Sequence, residues 1–417
     1  MHGMSGDTSN PAITAGPKRR WPGKAEFVAL MAALMASNAL AIDAMLPALP
    51  IMADALGAGG GNRQQLVITA YLIGFALGQM VFGPLSDRYG RRGLLLGSLA
   101  LYALFAAAAG LASSFTLLLT ARAMQGVAAS GTRVLVVAIV RDRFKGAAMA
   151  QAMSLIMVTF MIVPVLAPAF GQGVLAVASW RHIFIGLAVY GVVLIVWAGV
   201  RMPETLPVEA RRPLSVRSVV TGAGEALGNR AFLGNSLTST LLMGALFAFI
   251  NSVQQIVGDV FGRGDLLAVV FAFIAGPMAI SSYANSRLVM RFGARRLLLT
   301  ALSLFTAVSL LHLGFAAALG ETLWSFVLFQ AGAMICFGLI GANAGALAME
   351  PLGHVAGTAS SVQGTLTTIG GALIGAGIGQ AFDGTTLPLA AGFALCGVLA
   401  LAMARWANPA QLRSPGD

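Results

Sequence analysis

The sequence predicts an all-α membrane protein: twelve transmembrane helices in two six-helix bundles related by pseudo-symmetry. Three observations predict it. Apolar residues make up 58% of the chain and charged residues only 10%, against roughly a quarter charged in soluble domains. The apolar residues gather into twelve runs of about twenty, the length that crosses a hydrocarbon core. The basic residues sit in short clusters between alternate runs, the pattern of loops that face anionic lipid. A soluble enzyme of this composition would expose too much apolar surface to stay in solution. The net charge of +11 does not point to nucleic acid, because no zinc-finger spacing or RNA-binding aromatic motif accompanies it.

In chain order, residues 1–25 are polar and carry Lys18, Arg19, Arg20 and Lys24. They read as a disordered cytoplasmic tail. The first apolar run, near 26–46, is too long for a typical signal-peptide core and lacks a small-residue cleavage site, so it reads as an uncleaved first helix. Spans near 65–85, 94–112, 116–140, 148–171 and 182–200 complete the first bundle, 26–200. Residues 201–230 form the longest polar stretch between spans and read as a cytoplasmic central loop. Spans near 232–256, 266–286, 296–318, 323–348, 356–381 and 386–404 make the second bundle, 231–405, and 406–417 is a second cytoplasmic tail.

Orientation follows from the basic residues. With the N-terminus inside, cytoplasmic segments carry 21 of the 26 Lys and Arg, outside loops carry three (Arg63, Arg181 and Arg263), and Arg122 and Arg133 lie within the fourth span. Basic bias in short loops is the controlling signal, so both termini are expected in the cytoplasm. The halves echo each other: Asp87-Arg88-Tyr89-Gly90-Arg91-Arg92 follows the second span, and Met290-Arg291-Phe292-Gly293-Ala294-Arg295 follows the eighth, 203 residues later. Parallel repeats with a site between them near the midplane are a known transporter architecture.

Asp43 is the acid that stands well inside an apolar span. A carboxylate near the bilayer centre costs roughly 2.5–3.5 kcal/mol on insertion scales, so it is expected to hold a proton, a cation or a partner charge. At about 1.5 Å per residue it lies about 25 Å along the first span, and Arg122 about 9 Å below the outer edge of the fourth. Both fall in the outer half of a core about 30 Å thick, which makes Arg122 the expected neighbour. Arg122, Gln125, Ala129 and Arg133 fall on one helix face, with Arg133 nearer the membrane edge and open to snorkelling. Asn251, Gln254 and Gln255 in the seventh span and Asn343 in the tenth are candidates either for a substrate cavity or for helix–helix hydrogen bonds. The ladders Gly74/Gly78, Gly341/Gly345 and Gly371/Gly375/Gly379 are expected to permit close helix crossings. Cys336 and Cys396 read as buried thiols. The four His are scattered, and no nucleophile–base pair or metal spacing appears, so neither an enzyme nor a metal site is expected.

Gly83-Pro84-Leu85-Ser86-Asp87-Arg88-Tyr89-Gly90-Arg91-Arg92 resembles motif A of the major facilitator superfamily. Its Gly83 and Gly90 allow close approach and a tight turn. Its Asp87 suits a neighbouring helix N-terminus or an arginine such as Arg141, and either contact would act as a conformational latch together with Arg88, Arg91 and Arg92. Leu118-x-x-x-Arg122-x-x-Gln125-Gly126 resembles motif B. Pro164, Pro168 and Gly171, at i, i+4 and i+7, resemble the antiporter motif C, with Ala167 and Gln172 where that motif has glycines. With Asp43-Ala-Met-Leu-Pro47 and Pro203-Glu204-Thr205-Leu206-Pro207, the chain is similar to the twelve-helix drug:proton antiporters of the bicyclomycin/chloramphenicol-resistance branch.

The resemblance implies the major facilitator fold, a location in the bacterial inner membrane, and a monomer that exchanges protons for small hydrophobic drugs by alternating access. Asp43 would carry the proton and Arg122 modulate it. No Walker-type loop is present, so the expected energy source is the proton gradient and no cofactor is expected. With one deep carboxylate, neutral, zwitterionic or monovalent substrates are expected rather than dications. A proton-coupled importer or a dedicated single-metabolite exporter would use the same fold, and a non-transporting receptor is a more distant alternative.

Overall fold

A computed structural model describes residues 22–207, 209, 211 and 216–409. The expectations for most of the N-terminal tail, for Arg212 and for the end of the C-terminal tail lie outside these residues. Among the described residues the chain is helical with no strand. The first half contains α1 (Lys24–Asp43), α2 (Leu49–Ala55), α3 (Leu66–Tyr89), α4 (Arg91–Gly110), α5 (Phe115–Arg143), α6 (Gly146–Val177) and α7 (Arg181–Arg201). After α8 (Val216–Gly228), the second half contains α9 (Arg230–Gln255), α10 (Leu267–Phe292), α11 (Ala294–Leu319), α12 (Leu323–Met349), α13 (Ala356–Gln380) and α14 (Leu387–Ala407). Ten segments are long and apolar enough to cross a bilayer. Two more complete the twelve: α6, with its apolar stretch Ile162–Val177, and α13, whose Ser, Thr and Gly content makes it less apolar.

Local chemistry sets where the helices begin and end. Ser114 caps α5 by accepting a hydrogen bond from Leu117 N, Asn229 caps α9, and Thr322 and Ser325 form a capping box at α12. Such caps satisfy donors that a helix start leaves unpaired. Gly90 and Gly293, at φ of 95° and 77°, make the mirrored turns after α3 and α10, a backbone region that favours glycine. The first span departs from its expected extent. α1 stops at Asp43, and the chain passes through a 3-10 turn, Leu46–Ala48, into α2. Pro47 explains the stop: it has no N–H, and its ring would collide with the carbonyl four residues earlier, that of Asp43. The stretch read as the central loop contains α8, which packs through Ala226 beside Phe232, Ala348, Leu352 and Ala359.

The packing scheme repeats. In the first half α1 meets α5, α6 and α7, while α3 meets α5, and α4 meets α5 and α7. In the second half α9 meets α12, α13 and α14, while α10 meets α12, and α11 meets α12 and α14. The long helices of the two bundles join through α3 on α13 and α6 on α10, a pair of contacts that the same symmetry interchanges. Gly74 and Gly78 lie so close to α5 that a Cβ would stand 1.9 Å from Ala123 O and 2.2 Å from Ser130 Oγ. Gly371 and Gly375 do the same for α13 against Met243 and Phe247 of α9. Gly341 and Gly345 correct the expectation made for them. A Cβ on either would meet nothing within 4 Å, so their spacing serves no crossing here.

Candidate functional site

Asp43 is 4% exposed, and its Oδ1 has no hydrogen-bond partner among the described residues. Pro47 fixes it at the broken end of α1, where the last carbonyls of the helix lack intrahelical donors. Arg122 of α5 meets that end. Its Nη2 donates to Ala41 O at 2.9 Å, its Nε to Val67 O at 3.4 Å, and its Nη1 to Gln125 Oε1 at 2.6 Å. The guanidinium lies over the Tyr71 ring at 4.4 Å and near Phe184 at 5.7 Å, and it is fully buried.

The arrangement differs from a simple ion pair. Arg122 bonds a carbonyl two residues before Asp43, and no ion pair to Asp43 forms among the described residues. The positive charge is balanced by the negative end of the α1 dipole and by the faces of two rings. The partners of Arg122 are thus carbonyls, an amide and ring faces, not the Asp43 carboxylate. Around the pair, Tyr71 Oη donates to Asn38 Oδ1 at 2.7 Å and Tyr102 Oη to Ser37 O at 3.0 Å. The motif on α6 reaches the same place: a Cβ at Gly171 would stand 1.9 Å from Ala44 O. Thus α6, which runs unbroken through Pro164 and Pro168, packs directly on the break in α1.

The segment after α3 forms a second cluster at the other end of the bundle. Arg91, buried, donates to Asp87 at 2.7 Å, to Asp142 at 3.1 Å and to Ser86 Oγ at 2.6 Å. Asp87, half-exposed, pairs with Arg91 rather than with Arg141. Arg92 donates to the carbonyls of Met202 and Gly199, both at 2.8 Å. Arg88 lies over the Tyr89 ring at 5.3 Å. Gly83 approaches Ser361 of the other half.

Sequence reasoning missed Glu204 as part of this cluster. Its carboxylate accepts from Arg91 N at 2.8 Å and Arg92 N at 3.2 Å, capping α4 from more than a hundred residues away. The signal was present as an acid beside Pro203, but nothing local says which helix it caps. Also missed is a buried pair in the second half, His312 Nε2 and Glu321 Oε1 at 2.5 Å, with the imidazole stacked on Phe329.

The polar candidates of the second bundle separate. Asn343 donates to Asn285 Oδ1 at 2.7 Å and to Leu339 O at 2.6 Å, so it ties α12 to α10. Gln254 accepts from Gln64 at 3.3 Å, across the two halves. It belongs to a seal of uncharged groups: Gln65 Nε2 to Gln255 Oε1 at 2.6 Å, Gln255 Nε2 to Asn62 Oδ1 at 2.9 Å, and Asn62 Nδ2 to the carbonyls of Gln380 and Phe382 at 3.0 and 2.8 Å. Gln172 adds a bond to Gly264 O at 3.0 Å, so the residue that departs from the motif C pattern here joins the halves. Asn251, buried, has no partner for its amide among the described residues. A cavity of about 460 Å³ beside this seal is lined by Pro47, Gln172, Leu175, Gln254, Gly264, Asp265 and Leu267. Among the described residues no cluster of three or more His, Cys, Asp or Glu side chains is placed to hold a metal.

Comparison with known proteins bears on this arrangement. A family model described as the Major Facilitator Superfamily matches residues 31–375. The chain is 34% identical over 355 residues to YdgK of Bacillus subtilis, an uncharacterised MFS-type transporter, covering 83% of this chain and 86% of that one. It is 29% identical over 334 residues to the multidrug resistance protein MdtL of Salmonella heidelberg, covering 80% and 82%. Among solved structures, the human organic anion transporter MFSD10 superposes with a TM-score of 0.63 at 19% identity, covering 93% of this chain and all of that one, a likeness of fold.

Proposed function

The chain belongs to the major facilitator superfamily, and from that premise we propose that it is a drug:proton antiporter, akin to the bicyclomycin/chloramphenicol-resistance branch. It exports small hydrophobic neutral or monovalent compounds by alternating access. The observation that carries the proposal is the buried Asp43 carboxylate, held at the break in α1 beside an Arg122 that is already satisfied by backbone carbonyls. A membrane-buried acid without a fixed counter-charge is a site for reversible protonation. The relation to MdtL supports the choice of drugs as substrates.

The basic end of the molecule, which carries Asp87, Arg91 and Glu204, is cytoplasmic in this reading, and the membrane is the bacterial inner membrane. The amide seal of Asn62, Gln65, Gln255 and Gln380 then closes the outside, and substrate enters from the cytoplasm or inner leaflet. Release of the Asp43 proton to the cytoplasm and binding of drug let the α1 break, Gly171 and the first turn of α3 repack toward the outward-facing state, where drug leaves and Asp43 takes up a proton from outside for the return. The proton gradient drives the cycle, since moving one charge through 100 mV supplies about 2.3 kcal/mol.

The test is proton-driven drug uptake into everted vesicles, wild type beside Asp43→Asn. The variant is expected to abolish uptake driven by a pH gradient while reaching the membrane in normal amount. Uptake at the wild-type rate in the variant would refute the assignment. Proton-coupled import, or export of a single metabolite, is the second reading, favoured by Ala167 and Gln172 in motif C. It predicts no change in susceptibility across varied drugs and a change for one nutrient.

A further inference from the structure

Arg133 is absorbed by neither of the clusters described above. It lies on α5, eleven residues past Arg122, and at 1.5 Å per residue this places it about 16 Å closer to the basic end. The contacts of α5 fix which way it faces. Arg122 and Thr132 meet Ala41 and Ser37 of α1. Ala123, Gly126, Val127 and Ser130 meet Tyr71, Gly74 and Gly78 of α3. At about 100° per residue, Arg133 falls between these two contact faces and roughly 160–180° from Leu117 and Met124, which are 46% and 42% exposed and lie on the outer, lipid-facing side.

Yet Arg133 is itself exposed, and so is Val137 a turn further along the same face. Exposure on a face flanked by α1 and α3, and turned away from the lipid side, describes an opening between helices. It answers the sequence-level alternative that Arg133 snorkels to the lipid surface. The guanidinium carbon stands 5.9 Å from the Phe75 ring centroid. Among the described residues no carboxylate pairs with it: Asp87 and Asp142 are engaged by Arg91, Glu26 by Arg201, and Glu204 by the start of α4.

An accessible guanidinium without a counter-ion, set between low-dielectric walls, concentrates positive potential in the opening. Its planar fork matches a carboxylate through two parallel hydrogen bonds, and Val137, exposed a turn away, offers an apolar surface for the body that carries it. We propose that Arg133 is the substrate-recognising charge of the vestibule at the basic end, and that the preferred substrates are amphiphilic monoanions, an aromatic carboxylate being the simplest. This rests on the transport reading above and narrows its monovalent class to one sign. Because Arg133 and Asp43 stand at different depths, proton and anion occupy separate positions, and their exchange is coupled through the change of conformation rather than by displacement at one site.

The experiment compares 2-naphthoate with 2-naphthamide, the same ring with and without the charge. Binding to the purified full-length protein is measured by equilibrium dialysis. Wild type is expected to prefer the naphthoate by at least about tenfold, the scale of one charge-assisted hydrogen bond. Arg133→Gln removes that preference, and Arg133→Lys, which keeps the charge but not the fork, loses at least half of it. Equal affinity of wild type for the two probes overturns the proposal, as does an undiminished preference in either variant. The same probes in proteoliposomes separate this inference from the transport reading. Arg133-dependent binding of naphthoate without proton-driven movement would refute antiport and leave the recognition role standing. Proton-driven movement of both probes with no anion preference would refute the recognition role and leave antiport.

Discussion

The two bundles share one packing scheme and differ in what they bury. The first holds Asp43 and Arg122 at one depth and Arg91 with its acids at another. At equivalent places the second is neutral. Gln330 stands eight residues after the α12 cap Thr322, as Arg122 stands eight after the α5 cap Ser114. Gln330 is fully buried, and neither end of its amide has a partner among the described residues. After α10, Met290 stands where Asp87 stands and Ala294 where Arg91 stands, and Met290 is 86% exposed. One scaffold thus carries charge at these places in one half and neutral residues in the other, where the buried ionisable pair His312–Glu321 lies elsewhere. The apolar framework fixes the helix positions, and a few substitutions on it decide which half handles charge.

The sharpest way to break that contrast is to treat Arg122 and its mate alike. Arg122→Met leaves the carbonyl of Ala41, in the last turn of α1, and the Gln125 amide oxygen without their partner in the interior. At about 1–3 kcal/mol for each buried group left without a partner, it should lower the melting temperature strongly and abolish transport. Gln330→Met removes an amide that has no partner to lose, so its effect on melting should be neutral or slightly stabilising. Equal losses in the two variants would show that the symmetry is functional rather than merely architectural.

A smaller contrast lies in the glycines. Gly74→Val forces a side chain against the Ala123 backbone, where overpacking costs about 1–3 kcal/mol or more. Gly341→Val enters open space and should leave melting within about 0.5 kcal/mol of wild type. Thermal unfolding in detergent reads both, and a severe loss in Gly341→Val would mean that α12 crosses another helix closely in a second state. The smallest expected effect is at Glu204. Glu204→Ala uncaps α4 at a cost of about 1 kcal/mol, while α11, which begins at Gly293 without a side-chain cap, has no such term to lose. Faster hydrogen exchange in the first turn of α4, with α11 unchanged, is the expected signature.

How much was legible follows the range of the interactions. The apolar runs marked the helices, and the one deep carboxylate marked its site, because both are properties of residues near in sequence. Pro47 was visible but was not connected to the end of α1 at Asp43. The amide seal was legible only in part: Gln254 and Gln255 stood out as hydrogen-bond candidates, but their partners Asn62, Gln64, Gln65 and Gln380 are ordinary loop and helix-end residues until the halves meet. The His312–Glu321 pair was hidden in a scan for motifs because its members lie on either side of a helix end.

By itself the sequence determined the number of spans, the repeat and the presence of an expensive buried acid, since insertion energy is set by composition over one helix length. The tertiary structure alone decided that Arg122 binds the end of α1 rather than the Asp43 carboxylate. It alone decided that Gln172 and the amides near it hold the halves together, and that Arg133 opens on a cleft rather than on lipid. These depend on which helix faces lie opposite each other. Hydropathy cannot rank faces, because in a membrane the lipid-facing and the packed surfaces of a helix are equally apolar.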